Sequence, residues 1–280
     1  MKKKVKVSRF DRILQDIKDV KIQGATNVAK AGVKAFFLKP KKMPEKKTVK
    51  KILKTRPTEP LLKNAISFIL KSKNKKSASE KVLKHLKKSQ SKISKSGKNL
   101  IKNEMNIYVH CHSSTVIGIL KYAKKRKKRF VVYTTEVEPL LQGRQTARDL
   151  AKAKIKTILV PDLAAEQSLK KCDLLLFGAD AYLKKGVVNK IGTSTLCKLA
   201  QNHKIPRYSC GISLKFTKKV KIEQRKSKEV WQDNNKLINV QNPAFDLTKP
   251  KLISGVVSEF GILSYKQFIK KAKLTLKKFS

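Results

Sequence analysis

From residue 104 onward the chain alternates short, almost wholly apolar runs with amphipathic stretches of about ten residues, and few folds accept that alternation. The runs lie at 105–109, 130–133, 157–160, 173–177 and 206–209, with 252–257 as a candidate last one. Between them, 115–123, 145–152, 164–170 and 194–203 place apolar residues at helical spacing. A strand apolar on both sides is buried on both faces, and a helix after each strand returns the chain so that successive strands run parallel. The prediction is an α/β domain over 104–280, a doubly wound, Rossmann-like parallel sheet.

Residues 1–103 have a different texture. Ile13, Ile17 and Val20 are spaced by four and three, and Val28, Val33 and Phe36 continue an apolar side. A Lys-Pro break at 40–44 precedes 50–55. The turn Thr55-Arg56-Pro57-Thr58 follows, then a helix over 61–70, a polar linker over 71–79 and a helix over 79–103 with Val82, Leu83, Leu86 and Ile93 inward. A helical N-terminal domain over 1–103 is expected, and there are no internal repeats.

Charge is the other outstanding feature. Lys and Arg number 68 against 19 Asp and Glu, a net +49, and 59 of the basic residues are lysine. Hydrophobic residues at 40% exclude a disordered basic tail. Lysine-biased composition, a field that attracts anionic small molecules, and nucleic-acid contact all remain open as its origin. Aromatics at 6% and only nine scattered arginines argue against specific nucleic-acid recognition. No apolar run nears the roughly 20 residues of a membrane span; the densest, 174–179, is closed off by Asp173 and Asp180. The start, Met-Lys-Lys-Lys-Val-Lys-Val, has a charged head without an apolar centre, so no secretory leader is expected. Cysteines 111, 172, 197 and 210 form no CxxC, as free thiols in a reducing cytoplasm would.

A doubly wound sheet places its site at the carboxyl ends of the strands, so the residues to read follow each run. Cys111 stands after the first strand and before a helix whose N-terminal field lowers a thiol pKa; its bland reading is a small buried hydrophobe. Ser113 and Ser114 can cap that helix, whose free N–H groups suit a phosphate. A metal at His110, Cys111 and His112 is not expected, because in a strand the two histidines share a face that the cysteine opposes. Asp180 ends the most apolar strand, either as a cap or as a carboxyl with a raised pKa. Asn189 and Lys190 lie where a hairpin turns into a helix. From the helical region come Gly24 and Ala25, where backbone can approach an anion, and Arg56, whose forked guanidinium suits phosphate. There is no Walker sequence, no GxGxxG and no GxSxG, so nucleotide hydrolysis and serine-esterase chemistry lack a motif.

In chain order the motifs are Ile22-Gln23-Gly24-Ala25, Thr55-Arg56-Pro57-Thr58, His110-Cys111-His112-Ser113, Thr135-Glu136 with Pro139 and Gln142-Gly143, Gly178-Ala179-Asp180, Asn189-Lys190-Ile191-Gly192-Thr193 and Asn242-Pro243-Ala244-Phe245-Asp246. This set, from about residue 10 to 265, resembles the superfamily joining the alpha, beta and delta subunits of the eukaryotic initiation-factor guanine-exchange complex with two sugar-phosphate isomerases. Those enzymes act on 5-methylthioribose-1-phosphate and ribose-1,5-bisphosphate. The isomerases resemble this chain in carrying a Cys and an Asp at the positions of Cys111 and Asp180, and the His-Cys-His-Ser loop looks closest to the archaeal ribose-1,5-bisphosphate branch.

The resemblance implies conversion of ribose-1,5-bisphosphate to ribulose-1,5-bisphosphate in AMP salvage, without metal or organic cofactor. It implies Cys111 as thiolate taking the C2 proton and Asp180 as the acid on oxygen. Arg56, Lys190, Gly24, Ala25, Ser113 and Ser114 would hold phosphates, with Asn189 and Gln142 on sugar hydroxyls. It further implies a sugar-phosphate partner, activation by AMP and a homo-oligomer, dimer or hexamer. The alternatives it leaves are a non-catalytic guanine-exchange-subunit-like protein binding nucleotide or sugar phosphate, and a methylthioribose-1-phosphate isomerase. Three positions depart from the isomerase pattern, which has Arg where this chain has Gln23, Glu138 and Phe260. Lys39 or Lys215 would replace the missing charge, or the pocket no longer holds a bisphosphate tightly.

Overall fold

Residues 7–279, other than 223, 233, 234 and 236, are described by a computed structural model of the chain. The N-terminal run read above for a secretory leader lies, through residue 6, outside the described residues.

Five helices come first. Ser8 opens α1 (Arg9–Lys18) by accepting the Asp11 amide at 3.0 Å, and Phe10, Leu14 and Ile17 are its buried stripe. Then follow α2 (Ala25–Phe37), α3 (Glu45–Leu53), α4 (Pro60–Lys71) with proline at its first position, and α5 (Lys75–Gly97). The polar linker expected over 71–79 is much shorter. Asn74 caps α5 by accepting the Ser77 amide at 2.9 Å, and lysines, being good helix formers, carry the helix from there.

The sheet begins after α5 and is built from β1 (Met105–His110), β2 (Phe130–Thr135), β3 (Thr157–Val160) and β4 (Leu174–Phe177). Helices α6 (Ser114–Lys125), α7 (Gln142–Ala151) and α8 (Ala165–Leu169) alternate with them. Next come β5 (Ala181–Leu183), β6 (Gly186–Lys190), α9 (Thr193–Asn202), β7 (Arg207–Cys210), β8 (Phe245–Thr248), β9 (Gly255–Ser258), β10 (Gly261–Leu263) and α10 (Tyr265–Lys278). The seven-stranded sheet has the order β10-β9-β7-β4-β1-β2-β3, parallel except for β10. The chain is therefore α/β, and its strand order reverses between β1 and β4, where a doubly wound sheet opens a crevice.

Side-chain alternation supplies two cores. Ile107 and Val109 of β1 and Leu174 and Leu176 of β4 join a core shared with α1–α6. Tyr108, Leu175 and Phe177 face the other way, against α8, α9 and α10. The close approach of α5 to α6 requires small residues: a Cβ on Gly97 would stand 2.6 Å from Ile119 Cδ1. Two elements were not anticipated. An antiparallel sheet, β5-β6-β8, stands beside the large one, and α10 covers β9. Among the described residues no helix is long and apolar enough to cross a membrane.

Candidate active site

The crevice at the reversal is a cleft floored by the ends of β1 and β4 and walled by the starts of α2, α6 and α7. All ten residues singled out as candidates border it: Gly24, Ala25, Arg56, Cys111, Ser113, Ser114, Gln142, Asp180, Asn189 and Lys190. None of α2, α6 and α7 carries an acidic residue in its first turn, so three positive helix ends converge on one space. Gly24 enters α2 at φ +78°, a conformation glycine adopts without strain.

β1 stops at His110, and Cys111 takes a left-handed conformation, φ +63°, uncommon for a residue with a side chain. That turn brings His110, Cys111 and His112 all to the cleft, contrary to the strand geometry expected of them. Thr146 of α7 donates its hydroxyl proton to the Cys111 carbonyl at 3.0 Å. With that proton committed, its oxygen accepts from His112 Nδ1–H at 3.2 Å, while His112 Nε2 lies 3.8 Å from Asp149. His110 Nε2–H donates to the Ile191 carbonyl at 3.1 Å, which leaves Nδ1 an acceptor, buried and unpartnered among the described residues. Burial lowers the His110 pKa to about 4.

Burial also decides the state of the cysteine. It pushes the Cys111 thiol up to about 11; Lys190 acts in the opposite sense and Asp180 in the same one. The helix field expected to lower this thiol's pKa is outweighed in the free protein by desolvation of the sulfur.

Ser113 caps α6, accepting the Val116 amide at 3.4 Å. Gly178 lets β4 end against it, since a Cβ there would lie 2.8 Å from Ser113 Oγ. Asp180 is placed by its amide, which donates to the Val188 carbonyl at 2.8 Å across the small sheet. Asn189 donates to Thr193 Oγ1 at 3.0 Å, and Thr193 to the Lys190 carbonyl at 2.6 Å.

The replacement cations expected from sequence divide. Lys39 bonds the Met43 carbonyl at 2.9 Å and is not among the cleft residues. Lys215, on the turn after β7, borders the cleft and donates to the carbonyl of Ala179, next to Asp180. Its pKa is lowered by burial, against the pull of Asp180 and Glu59. Asn64 of α4 ties the helical layer to this turn through the carbonyls of Leu214, at 2.7 Å, and Phe216, at 3.1 Å. Of the three departures only Gln23 borders the cleft. Glu138 is exposed and its amide donates to Asp162, and Phe260 lies beneath Lys271.

Sequence reasoning passed over Glu59 and Arg225. Glu59 borders the cleft and pairs with Arg56 at 3.4 Å; Arg225 reaches it from the loop between β7 and β8 and is held by Glu229. Arg225 could have been suspected as one of only nine arginines, whereas Glu59 sits beside a recognised motif with nothing in its pattern to single it out.

The model of the "Initiation factor 2 subunit family" matches residues 21–265. The chain is 32% identical over 287 residues to the ribose 1,5-bisphosphate isomerase of Methanocaldococcus jannaschii, covering 92% of this chain and 93% of that protein. It is 33% identical over 204 residues to the methylthioribose-1-phosphate isomerase of Fervidobacterium nodosum, covering 64% and 58%. Among solved structures, the translation initiation factor eIF-2B of Pyrococcus horikoshii superposes with a TM-score of 0.84 at 29% identity, covering 93% of this chain and 98% of that one.

Proposed function

The chain belongs to the initiation factor 2 subunit family, and on that premise we propose that it is an aldose–ketose isomerase converting ribose-1,5-bisphosphate to ribulose-1,5-bisphosphate. The observation carrying this reading is that Cys111 and Asp180 border one cleft together with three positive helix ends and the cations Arg56, Lys190 and Lys215. A phosphate at either end of a five-carbon sugar has cations and helix ends to meet there, and a proton donor and acceptor border the same cleft.

The reaction needs two proton transfers that balance. Asp180, protonated, gives its proton to the ring oxygen as the C1–O4 bond breaks. Cys111, as thiolate, takes the C2 proton, leaving an enediol with phosphate still on C1. The 2-hydroxyl then returns a proton to Asp180, and the Cys111 thiol delivers its proton to C1. Both groups end as they began. Lys190 favours the thiolate, and the proton that Asp180 takes up as the bisphosphate binds, which removes its charge from beside the sulfur, favours it further. Water must be kept out, because it would add to the C1 cation left by ring opening and release the C1 phosphate; the helices of 1–103, tied through Asn64 to the Lys215 turn, are the proposed lid over the 104–280 domain. We place the reaction in AMP salvage, with AMP as activator and a homo-oligomer as the working form.

The test is incubation of the purified protein with ribose-1,5-bisphosphate while ketose formation is followed. Turnover absent above a Cys111→Ser control rejects the enzyme. A second reading, a non-catalytic binding protein like the initiation-factor subunits, draws support from the protonated resting thiol and from the Glu59 charge beside Arg56. Ligand-induced thermal stabilisation without turnover would select it.

A further inference from the structure

Glu59 puts a negative charge in the wall of a cleft read as an anion site. It is 2% exposed, stands at the N-cap of α4 without using its side chain as a cap, and borders the cleft beside Arg56. Its carboxylate lies 3.4 Å from Arg56 Nη2, the two side chains being 1% and 10% exposed. It also acts on Lys215, whose protonated form it favours across the same space. A carboxylate is costly in such a place unless cations surround it, and here the surrounding cations are those that would otherwise face a ligand phosphate.

We propose that Glu59 is a specificity-determining residue, a built-in counter-anion that competes with the substrate for Arg56 and Lys215 and thereby sets how firmly the cleft holds a phosphate at that end. This rests on the cleft being a sugar-phosphate site. When a dianion arrives, the Arg56 guanidinium must turn part of its charge from Glu59 to the ligand, or Glu59 must take up a proton; either change lowers the apparent affinity. The benefit to an isomerase lies in release. Substrate and product carry the same two phosphates, so a counter-anion that loosens the hold on the substrate loosens the hold on the product equally and speeds its release.

The experiment uses the full chain and titrates inorganic phosphate by calorimetry into the wild type, Glu59→Gln and the double variant Glu59→Gln/Lys215→Met. Glu59→Gln is expected to bind phosphate at least tenfold more tightly, and the gain should be smaller in the double variant, where Lys215 no longer meets the phosphate. With ribose-1,5-bisphosphate, its KM should fall by a larger factor than kcat. Should Glu59→Gln fail to fold, Glu59→Asp, which withdraws the charge by one methylene, is expected to show a smaller gain in the same direction. Phosphate affinity equal to or weaker than wild type overturns the proposal, since Glu59 would then be orienting Arg56 for the ligand. Phosphate binding needs no turnover, so a protein that never isomerises the sugar but shows the gain loses the isomerase reading and keeps this one.

Discussion

The Thr146 hydroxyl holds the carbonyl oxygen of Cys111 at 3.0 Å, so a side chain on α7 fixes the left-handed backbone of a residue 35 positions earlier. The threonine's own hydroxyl oxygen accepts from His112 Nδ1–H, and one threonine thus secures both ends of the turn that aims the sulfur. Thr146→Val keeps the shape but removes both bonds. The loss is about 1–3 kcal/mol of stability, because the Cys111 carbonyl and a half-buried imidazole lose their partner. Displacement of the sulfur lowers kcat by about tenfold or more while KM changes little. Thr146→Ser, which keeps the hydroxyl, should restore most of the rate. Steady-state kinetics of the three proteins checks it, and a Thr146→Val enzyme with wild-type kcat would show that the turn holds without this bond.

Gly178→Ala is the most damaging single-methyl change expected in the cleft. The added Cβ would lie 2.8 Å from Ser113 Oγ and 3.0 Å from Ser113 Cβ, with Asn189 Oδ1 at 3.5 Å. Ser113 would be pushed from the start of α6, weakening its cap on Val116. Overpacking of this kind costs about 1–3 kcal/mol, and the disturbed helix end should raise KM. Chemical denaturation measures the first effect and initial rates the second.

The parallel sheet was legible because its strands, buried on both faces, leave continuous apolar runs such as Leu174 to Phe177 that survive any surface composition. Seven of the ten candidate residues were legible because they follow a strand or open a helix, and strand ends of such a sheet converge; Arg56, in the turn between α3 and α4, and Asn189 and Lys190, at the end of β6, were legible from their motifs. The small sheet was missed because β8, Phe245-Asp246-Leu247-Thr248, is short, half-polar and pairs with a hairpin nearly sixty residues earlier. The helix α10 did carry a readable stripe in Tyr265, Phe268, Ile269 and Ala272, diluted by its lysines. The state of Cys111 could not be read at all. A helix end is a local feature visible in sequence, whereas desolvation depends on Lys190, Asp180 and the walls that fold around the sulfur.

His110 makes folding sensitive to acid. Its pKa is about 4 in the folded protein, because burial disfavours the cation, against 6.5 for the free side chain. Between those values the unfolded chain binds a proton that the native state does not, so His110 contributes stability above pH 6.5 that is lost as pH falls toward 4. The loss reaches about 2 kcal/mol by pH 5. Asp246 acts in the opposite sense: burial raises its pKa to about 6, so the native state takes up its proton first and gains stability as pH falls through 6. The two largely offset each other in the wild type. In His110→Gln the His110 loss is removed, and the urea midpoint should rise between pH 7.5 and pH 5 relative to the wild-type trend. Parallel trends for the two proteins would mean that His110 is charged in the fold.

The alkylation rate of Cys111 reports directly on the charges in the cleft. A thiol at about 11 is almost wholly protonated at pH 8, and only the thiolate attacks iodoacetamide. The rate should therefore climb about tenfold per pH unit from 8 to 10 without levelling. Cys172, Cys197 and Cys210 are buried, with thiols raised by the same desolvation, so modification should fall on Cys111, as peptide mass mapping would show. Two variants then move the rate in opposite directions at fixed pH. Lys190→Met removes the charge that favours the thiolate and slows alkylation; Asp180→Asn removes the charge that opposes it and speeds alkylation. The pH profile of kcat/KM should share the rising limb, since it too follows the free thiol. A plateau in the wild-type alkylation rate near pH 8, or variants that leave it unmoved, would mean that the sulfur is wetter and farther from Lys190 and Asp180 than the cleft makes it.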